Sequence, residues 1–330
     1  MNVFLSLAAV IILILLAMAG VGAIGLDYLF GVVIPYAAFL IFIVGFVYRI
    51  IIWSKSPVPF RIPTTCGQQK TLSWIKSSKL ESPHTTLGVI GRMALEILFF
   101  RSLFRNTKTE IKPGPQIVYG SNKWLWLGGL AFHWSFLIIL IRHLRFFIEP
   151  VPYYITMIEH LDGFFQVGLP EILLTDIAIL SALTFLILRR FGPRLRYISL
   201  PADYFPLLLI ISIATTGVLM RYFTKTDIVG IKELALGLAT FSPVVPEGIG
   251  LTFFVHLFLV SVLLIYFPFS KLMHLGGVFL SPTRNLANNN RMKRHVNPWD
   301  YPVNVHTYEE YEDEFRDVMK AAGLPLEKES

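Results

Sequence analysis

The sequence predicts an all-α integral membrane protein, a bundle of six transmembrane helices. Three observations carry that prediction. Of the 330 residues, 54% are hydrophobic and 15% are charged, against about 25% charged in an ordinary soluble domain. The mean hydropathy is +0.61. The apolar residues gather into runs of about 20, the length that carries a helix across a hydrocarbon core of roughly 30 Å. Inside lipid no water satisfies the backbone, so each run is expected to be helical rather than an isolated strand.

In chain order the expected spans are 3–25, 30–53, 124–147, 172–190, 203–222 and 250–274. The first is read as a retained helix and not as a cleaved leader. Its apolar run exceeds an h-region, no basic segment precedes it, and a second span follows almost at once. Residues 54–123 form a polar loop between spans two and three, containing an apolar stretch from Leu87 to Phe104. Arg92, Glu96 and Arg101 interrupt that stretch, which suits an amphipathic surface helix better than a span. The chain thus divides into a membrane domain, 1–280, and a polar tail, 281–330, rich in Tyr, Glu and Asp. A tail of that length suits a docking segment for a soluble partner.

The formal charge of +7 is unevenly placed. Basic residues crowd the 54–123 loop (Lys55, Arg61, Lys70, Lys76 onward to Lys112), the link after span four (Arg189, Arg190, Arg194, Arg196) and the start of the tail (Arg284, Arg291, Lys293, Arg294). The opposite loops hold Asp27, Glu149, Glu159, Asp162, Glu171, Asp227, Glu233 and Glu247. Loops that stay in the cytoplasm retain Lys and Arg, so both termini are expected on the cytoplasmic side of the cell membrane. The same placement explains the basic balance without a nucleic-acid partner.

A single cysteine, Cys66, lies in the polar loop. It excludes an internal disulfide, a four-cysteine iron–sulfur site and a covalent C-x-x-C-H haem attachment. A metal centre held by this chain alone must use His or carboxylates.

Eight histidines are present, and four fall in or at the ends of spans. His133 and His143 lie in span three, AFHWSFLIILIRHLRFF; His256 and His274 lie in span six, FFVHLFLVSVLLIYFPFSKLMH. Ionisable residues are rare in membrane segments and mark functional sites, and neutral imidazole is a standard axial ligand of haem iron. A helical rise separates His133 from His143 by roughly 15 Å and His256 from His274 by roughly 27 Å, the latter on one face after five turns. The two spans run antiparallel, so His133 and His274 lie toward the cytoplasm, and His143 and His256 toward the outside. Pairing at matching heights leaves an offset of roughly 6 Å per pair; the crossed pairing needs roughly 21 Å. A lone intramembrane His is ordinarily a hydrogen-bonded packing residue. Two pairs at compatible levels on antiparallel helices point instead to two b-type haems.

These features resemble a known family. The His-x9-His of span three, the PRLRYISLPADYFPLLLIISIATTGVLMR segment and the H-x17-H of span six with its FPFSKLMH are similar to the gamma subunit of respiratory nitrate reductase over the last five spans. Chain length, the additional first span and the RHVNPWDYP tail bring it nearer to the cytochrome b-like subunits of Dsr complexes and of heterodisulfide-reductase-like menaquinol oxidoreductases (Hme). The resemblance implies a five-helix dihaem core plus one extra N-terminal helix. It implies bis-histidine ligation by His143–His256 and His133–His274, with menaquinol oxidised near the outer haem. Electrons would pass inward to a cytoplasmic heterodisulfide-reductase-like iron–sulfur subunit, with other subunits in the complex. One departure stands out: Arg142 occupies the position before the outer histidine, where the nitrate reductase subunit has a glycine.

Quinol oxidation requires a proton acceptor and groups that hold the quinone oxygens. Glu149 and His160 are the candidates, with Glu159 and Asp162 beside them. Arg142 and Arg145 are candidate partners for the propionates of the outer haem, although snorkelling at the interface would also place them there. Pro268 is expected to kink span six ahead of His274. His84, His295 and His306 are expected to be solvated. Rival readings are a quinone-reducing cytochrome running in reverse, and a haem-free anchor or transporter subunit. A transporter would show ionisable groups at broken helices near the midplane, and outside the histidine spans none stands out.

Overall fold

The computed structural model describes residues 2–56, 67–114, 116–163, 171–224, 226–292 and 305–328. Cys66, His295 and the RHVNPWDYP segment lie outside them. The chain opens with α1 (Asn2–Ala17), which runs on through a π-helical turn, Met18–Ala23. A second π-helical turn, Leu29–Val33, leads into α2 (Ile34–Ser54). The polar loop holds α3 (Thr86–Phe99), α4 (Arg101–Arg105) and an antiparallel hairpin of β1 (Thr107–Lys112) and β2 (Gln116–Ser121). Then follow α5 (Lys123–His143), α6 (Tyr153–Asp162), α7 (Leu174–Arg190), α8 (Pro193–Arg196), α9 (Pro201–Tyr222), α10 (Ile228–Ala239) and α11 (Leu251–Tyr266). The short α12 (His274–Gly277) and α13 (Tyr308–Ala321) complete the order.

Among the described residues, five helical segments are long and apolar enough to cross a bilayer: Asn2–Ala23, Leu29–Ser54, Lys123–Phe146, Pro201–Tyr222 and Leu251–Phe269. The sixth expected span, α7, has 17 residues, which rise about 25 Å, the short end of the spanning range. It packs between α5 and α9, while α9 also meets α1 and α11, and α11 meets α2. Leu183, Leu209, Phe254 and Leu259 are buried where these helices converge, joined by Leu234 of α10. The outward faces are equally apolar: Phe4, Leu40, Val44 and Leu140 are all exposed. A bundle greasy on both sides is a multi-pass membrane protein.

The two ends of the bundle gather the segments that charge had sorted. At one end Asn2 Nδ2 donates to Ser199 O at 2.9 Å, Arg284 pairs with Glu96 at 3.4 Å, and Asn288 N donates to Pro83 O at 2.6 Å. Here the N-terminus meets the α7–α9 link, and the start of the tail meets the long loop. At the other end Lys232 pairs with Glu149, Arg145 with Glu159, and Arg142 with Asp162.

The stretch from Leu87 to Phe104 is not one helix. Phe100 adopts φ 50°, ψ 47°, a left-handed conformation that ends α3. Glu96 then accepts from Ser102 N at 2.9 Å and Ser102 Oγ at 2.6 Å, holding the start of α4. Helix C-terminal carbonyls lack intrahelical partners; those of Leu98 and Phe99 accept from Trp134 Nε1 (3.0 Å) and Trp126 Nε1 (2.7 Å) on α5. The surface helix is thereby tethered to α5 through Trp126 and Trp134.

Span six also departs from expectation, because it is not continuous to His274. Pro268 lacks a backbone donor, and α11 passes at Tyr266 into a 3-10 turn, Phe267–Phe269. Ser270 is extended (φ −123°, ψ 178°), and its hydroxyl accepts from Leu272 N to start a second 3-10 turn, Lys271–Met273. Gly45 of α2 makes room for the break: a Cβ there would lie 2.8 Å from Pro268 Cβ. The uniform rise assumed for the eighteen residues between His256 and His274 therefore does not hold. His84 is likewise not solvated as expected, since it is half-buried with its Nδ1 shielded from solvent.

Candidate metal-binding histidine pairs

His133 lies midway along α5 and His143 is its last residue; His256 lies on α11 and His274 opens α12. The rings of His133 and His274 have centroids 5.9 Å apart at an interplanar angle of 83°. Those of His143 and His256 are 6.4 Å apart at 12°. A ligating imidazole nitrogen sits about 2 Å from its metal. Adding each ring's own radius, two imidazoles on opposite sides of one iron place their centroids about 6 Å apart. Both pairs have that spacing.

The other ring nitrogens are occupied. Nδ1 of His133 donates to Gly129 O at 2.7 Å, that of His143 to Ile139 O at 2.7 Å, and that of His274 to Lys271 O at 2.9 Å. Nδ1 of His256 lies 2.9 Å from Thr216 Oγ1 on α9. With Nδ1 held in this way, Nε2 presents its lone pair, the tautomer a metal requires. A pair of imidazoles suits a macrocycle that brings four nitrogens of its own; a bare ion would need more protein ligands. Among the described residues no group of three or more His, Cys, Asp and Glu gathers for one. Aromatic edges line the pairs: Phe100 and Phe132 each lie 4.9 Å from the His133 ring, and Phe146 lies 5.9 Å from that of His143.

The candidate arginines have partners within the chain. Arg142 Nη1 donates to Asp162 Oδ2 at 2.6 Å and to Thr175 Oγ1 at 3.2 Å. Asp162 also accepts from Thr175 N at 2.8 Å and Thr175 Oγ1 at 2.6 Å. The side chains of Arg142 and Asp162 are only 12% and 3% exposed, so this pair is buried. It joins the ends of α5 and α6 to the start of α7. Arg142 Nε remains buried with no hydrogen-bond partner among the described residues. Arg145 pairs with Glu159. Glu149 is exposed and paired with Lys232 of α10, and His160 is exposed in the last turn of α6. Neither touches an imidazole among the described residues.

Sequence reasoning missed Thr216, Thr175 and Lys232. Thr216 had a signal: with Ser212 and Thr215 it is one of three hydroxyl residues, next to a glycine, in the span ISIATTGVLM. Thr175 and Lys232 sit beside span ends, where polar residues carry no signal of their own.

The bundle and its facing histidines define a membrane protein of cytochrome b-like fold. The family model of the nitrate reductase gamma subunit matches residues 93–295, more than half of the chain, and the chain belongs to that family. The matched stretch takes in α5, α7, α9 and α11 and leaves α1 and α2 outside, one span fewer than the resemblance suggested. The chain is 48% identical over 285 residues to the Hdr-like menaquinol oxidoreductase cytochrome b-like subunit of Archaeoglobus fulgidus, covering 84% of this chain and 85% of that protein. It is 42% identical over 275 residues to the subunit of the same name from Archaeoglobus profundus, covering 81% of each.

Proposed function

We propose that this chain is the dihaem b subunit of a membrane quinol oxidoreductase, oxidising menaquinol near the outer face and passing electrons inward to a cytoplasmic iron–sulfur partner. The observation that carries the reading is the spacing of the two imidazole pairs, 5.9 and 6.4 Å, each ring held through Nδ1. His133 and His274 would ligate the inner haem, and His143 and His256 the outer one. Bound haem supplies a one-electron carrier at each level. The names of the two relatives supply the quinol, and their Hdr-like designation supports a heterodisulfide-reductase-like partner within a larger complex.

The chain's own groups divide the remaining work. Arg142 and Arg145 flank His143 and would be the residues to hold the outer haem's carboxylates, and Arg142 Nε is a donor with no other partner among the described residues. Oxidising one menaquinol releases two electrons and two protons. Glu149, Glu159 and His160 gather at the same end of the bundle, where they can receive those protons. The basic loops at the other end support a cytoplasmic position for that end and for both termini. Inward electron movement then couples to the membrane potential at about 2.3 kcal/mol per charge per 100 mV.

A pyridine haemochrome assay of the purified protein tests the ligand set, with two b haems per chain expected. Adding a menaquinol analogue should then reduce haem b, and a quinone-site inhibitor should stop it. Protein without haem would refute the ligand assignment; haem that stays oxidised would refute the quinol reaction alone.

A further inference from the structure

We infer that Thr216 is the residue that fixes the tautomer of His256 and thereby sets the potential of the outer haem separately from the inner one. The inference rests on the dihaem reading above. It starts from an asymmetry: three of the four histidines bond a backbone carbonyl three or four residues earlier on their own segment, whereas His256 turns to another helix, where it meets the Thr216 hydroxyl at 2.9 Å and the backbone carbonyl of Ile213.

The hydroxyl has no freedom in that contact. Thr216 Oγ1 lies 3.0 Å from Ser212 O and 2.9 Å from Ile213 O. A hydroxyl carries one proton and two lone pairs. Its proton is drawn to these carbonyls of its own helix, which can only accept. Toward His256 it offers a lone pair, so Nδ1 must carry the hydrogen and Nε2 must be free. Donation by the hydroxyl also polarises it, strengthening it as an acceptor. A Cβ at the neighbouring Gly217 would sit 3.6 Å from His256 Cε1, an ordinary contact, so the approach of α9 does not depend on that glycine.

An acceptor on Nδ1–H makes the imidazole a more basic ligand, which stabilises ferric over ferrous iron. Removing it should raise the outer midpoint and weaken retention of that haem by about 10–100-fold. The experiment is potentiometric titration of both haems, with haem content per chain, in wild type, Thr216→Val, Thr216→Ser and Gly217→Ala. In Thr216→Val the outer midpoint should rise or the content fall toward one haem, while the inner midpoint stays put. Thr216→Ser should restore wild-type behaviour, and Gly217→Ala should not differ from it. The inner haem's spectrum reports that a variant has folded. Should Thr216→Val lose both haems, nitrogen-15 NMR of labelled histidine in the reduced wild-type protein decides instead: a proton on His256 Nδ1 supports the assignment, and its absence overturns it. Two unchanged midpoints in Thr216→Val would also overturn it. A wild-type protein with no haem would refute the dihaem reading itself, before any variant is compared.

Discussion

The two histidine pairs are built from the same two spans by different means. The outer rings, His143 and His256, belong to unbroken helices and are nearly parallel at 12°. The inner rings, His133 and His274, are crossed at 83°, and His274 follows a break at Ser270. Outer geometry is therefore set by helix packing and a buried salt bridge. Inner geometry is set by two 3-10 turns, a proline and a surface helix tethered by indoles. The same ring spacing can be reached by rigid placement or by a local device.

The most drastic way to break this comparison is to remove one ring from each pair. His256→Ala should leave one haem per chain and abolish reduction by quinol. His274→Ala should also leave one haem, still reducible by quinol but no longer able to pass electrons onward. Haem content and rapid-mixing spectra of the two variants distinguish the cases.

Next in size is Asp162→Ala, which leaves Arg142 buried without its carboxylate. Breaking a buried pair in this way costs about 3–5 kcal/mol. Thermal melting should drop accordingly, with the outer haem released first. Lys232→Ala, at a largely exposed pair, should cost less than about 1 kcal/mol.

Gly45→Ala sharpens the comparison from the other side. Its methyl would meet Pro268 at 2.8 Å, an overpacking worth about 1–3 kcal/mol. The inner midpoint should move and the outer one should not.

The smallest effect concerns α13 and serves as a control. Glu312 accepts from Glu327 N at 2.8 Å and Lys328 N at 3.1 Å. These amides, Glu327 first, hold its carboxyl below the ordinary value of 4.5. The contribution is therefore complete above 4.5 and is lost as pH falls through the lower folded value. Hydrogen exchange should show α13 loosening on acidification in that range, while the protection of α5 and α11 is unchanged.

Much of this architecture was legible in the chain, because burying the backbone in lipid forces long apolar runs that hydropathy finds directly. The facing of His133 with His274, and of His143 with His256, followed from counting residues. That count treated span six as one helix, and Ser270 breaks it. The pairing survives because a short break shifts the ring by less than the offset that separates the two possible pairings. What stayed hidden depended on contacts between distant residues. Arg142 and Asp162 are twenty positions apart and were read as loop polarity. The helices α6 and α10 are too short to announce themselves by apolar length, and the left-handed Phe100 carries no signal that a glycine would have given.

Three of the four rings lean on peptide carbonyls, and a carbonyl is present whatever residue the codon specifies. Genetic drift around His133, His143 and His274 therefore leaves their anchoring intact. The fourth ring also meets a hydroxyl, that of Thr216, which one nucleotide change can erase. If the dihaem reading holds, a lineage carrying this design would have one heritable dial on its electron path, at the His256 end.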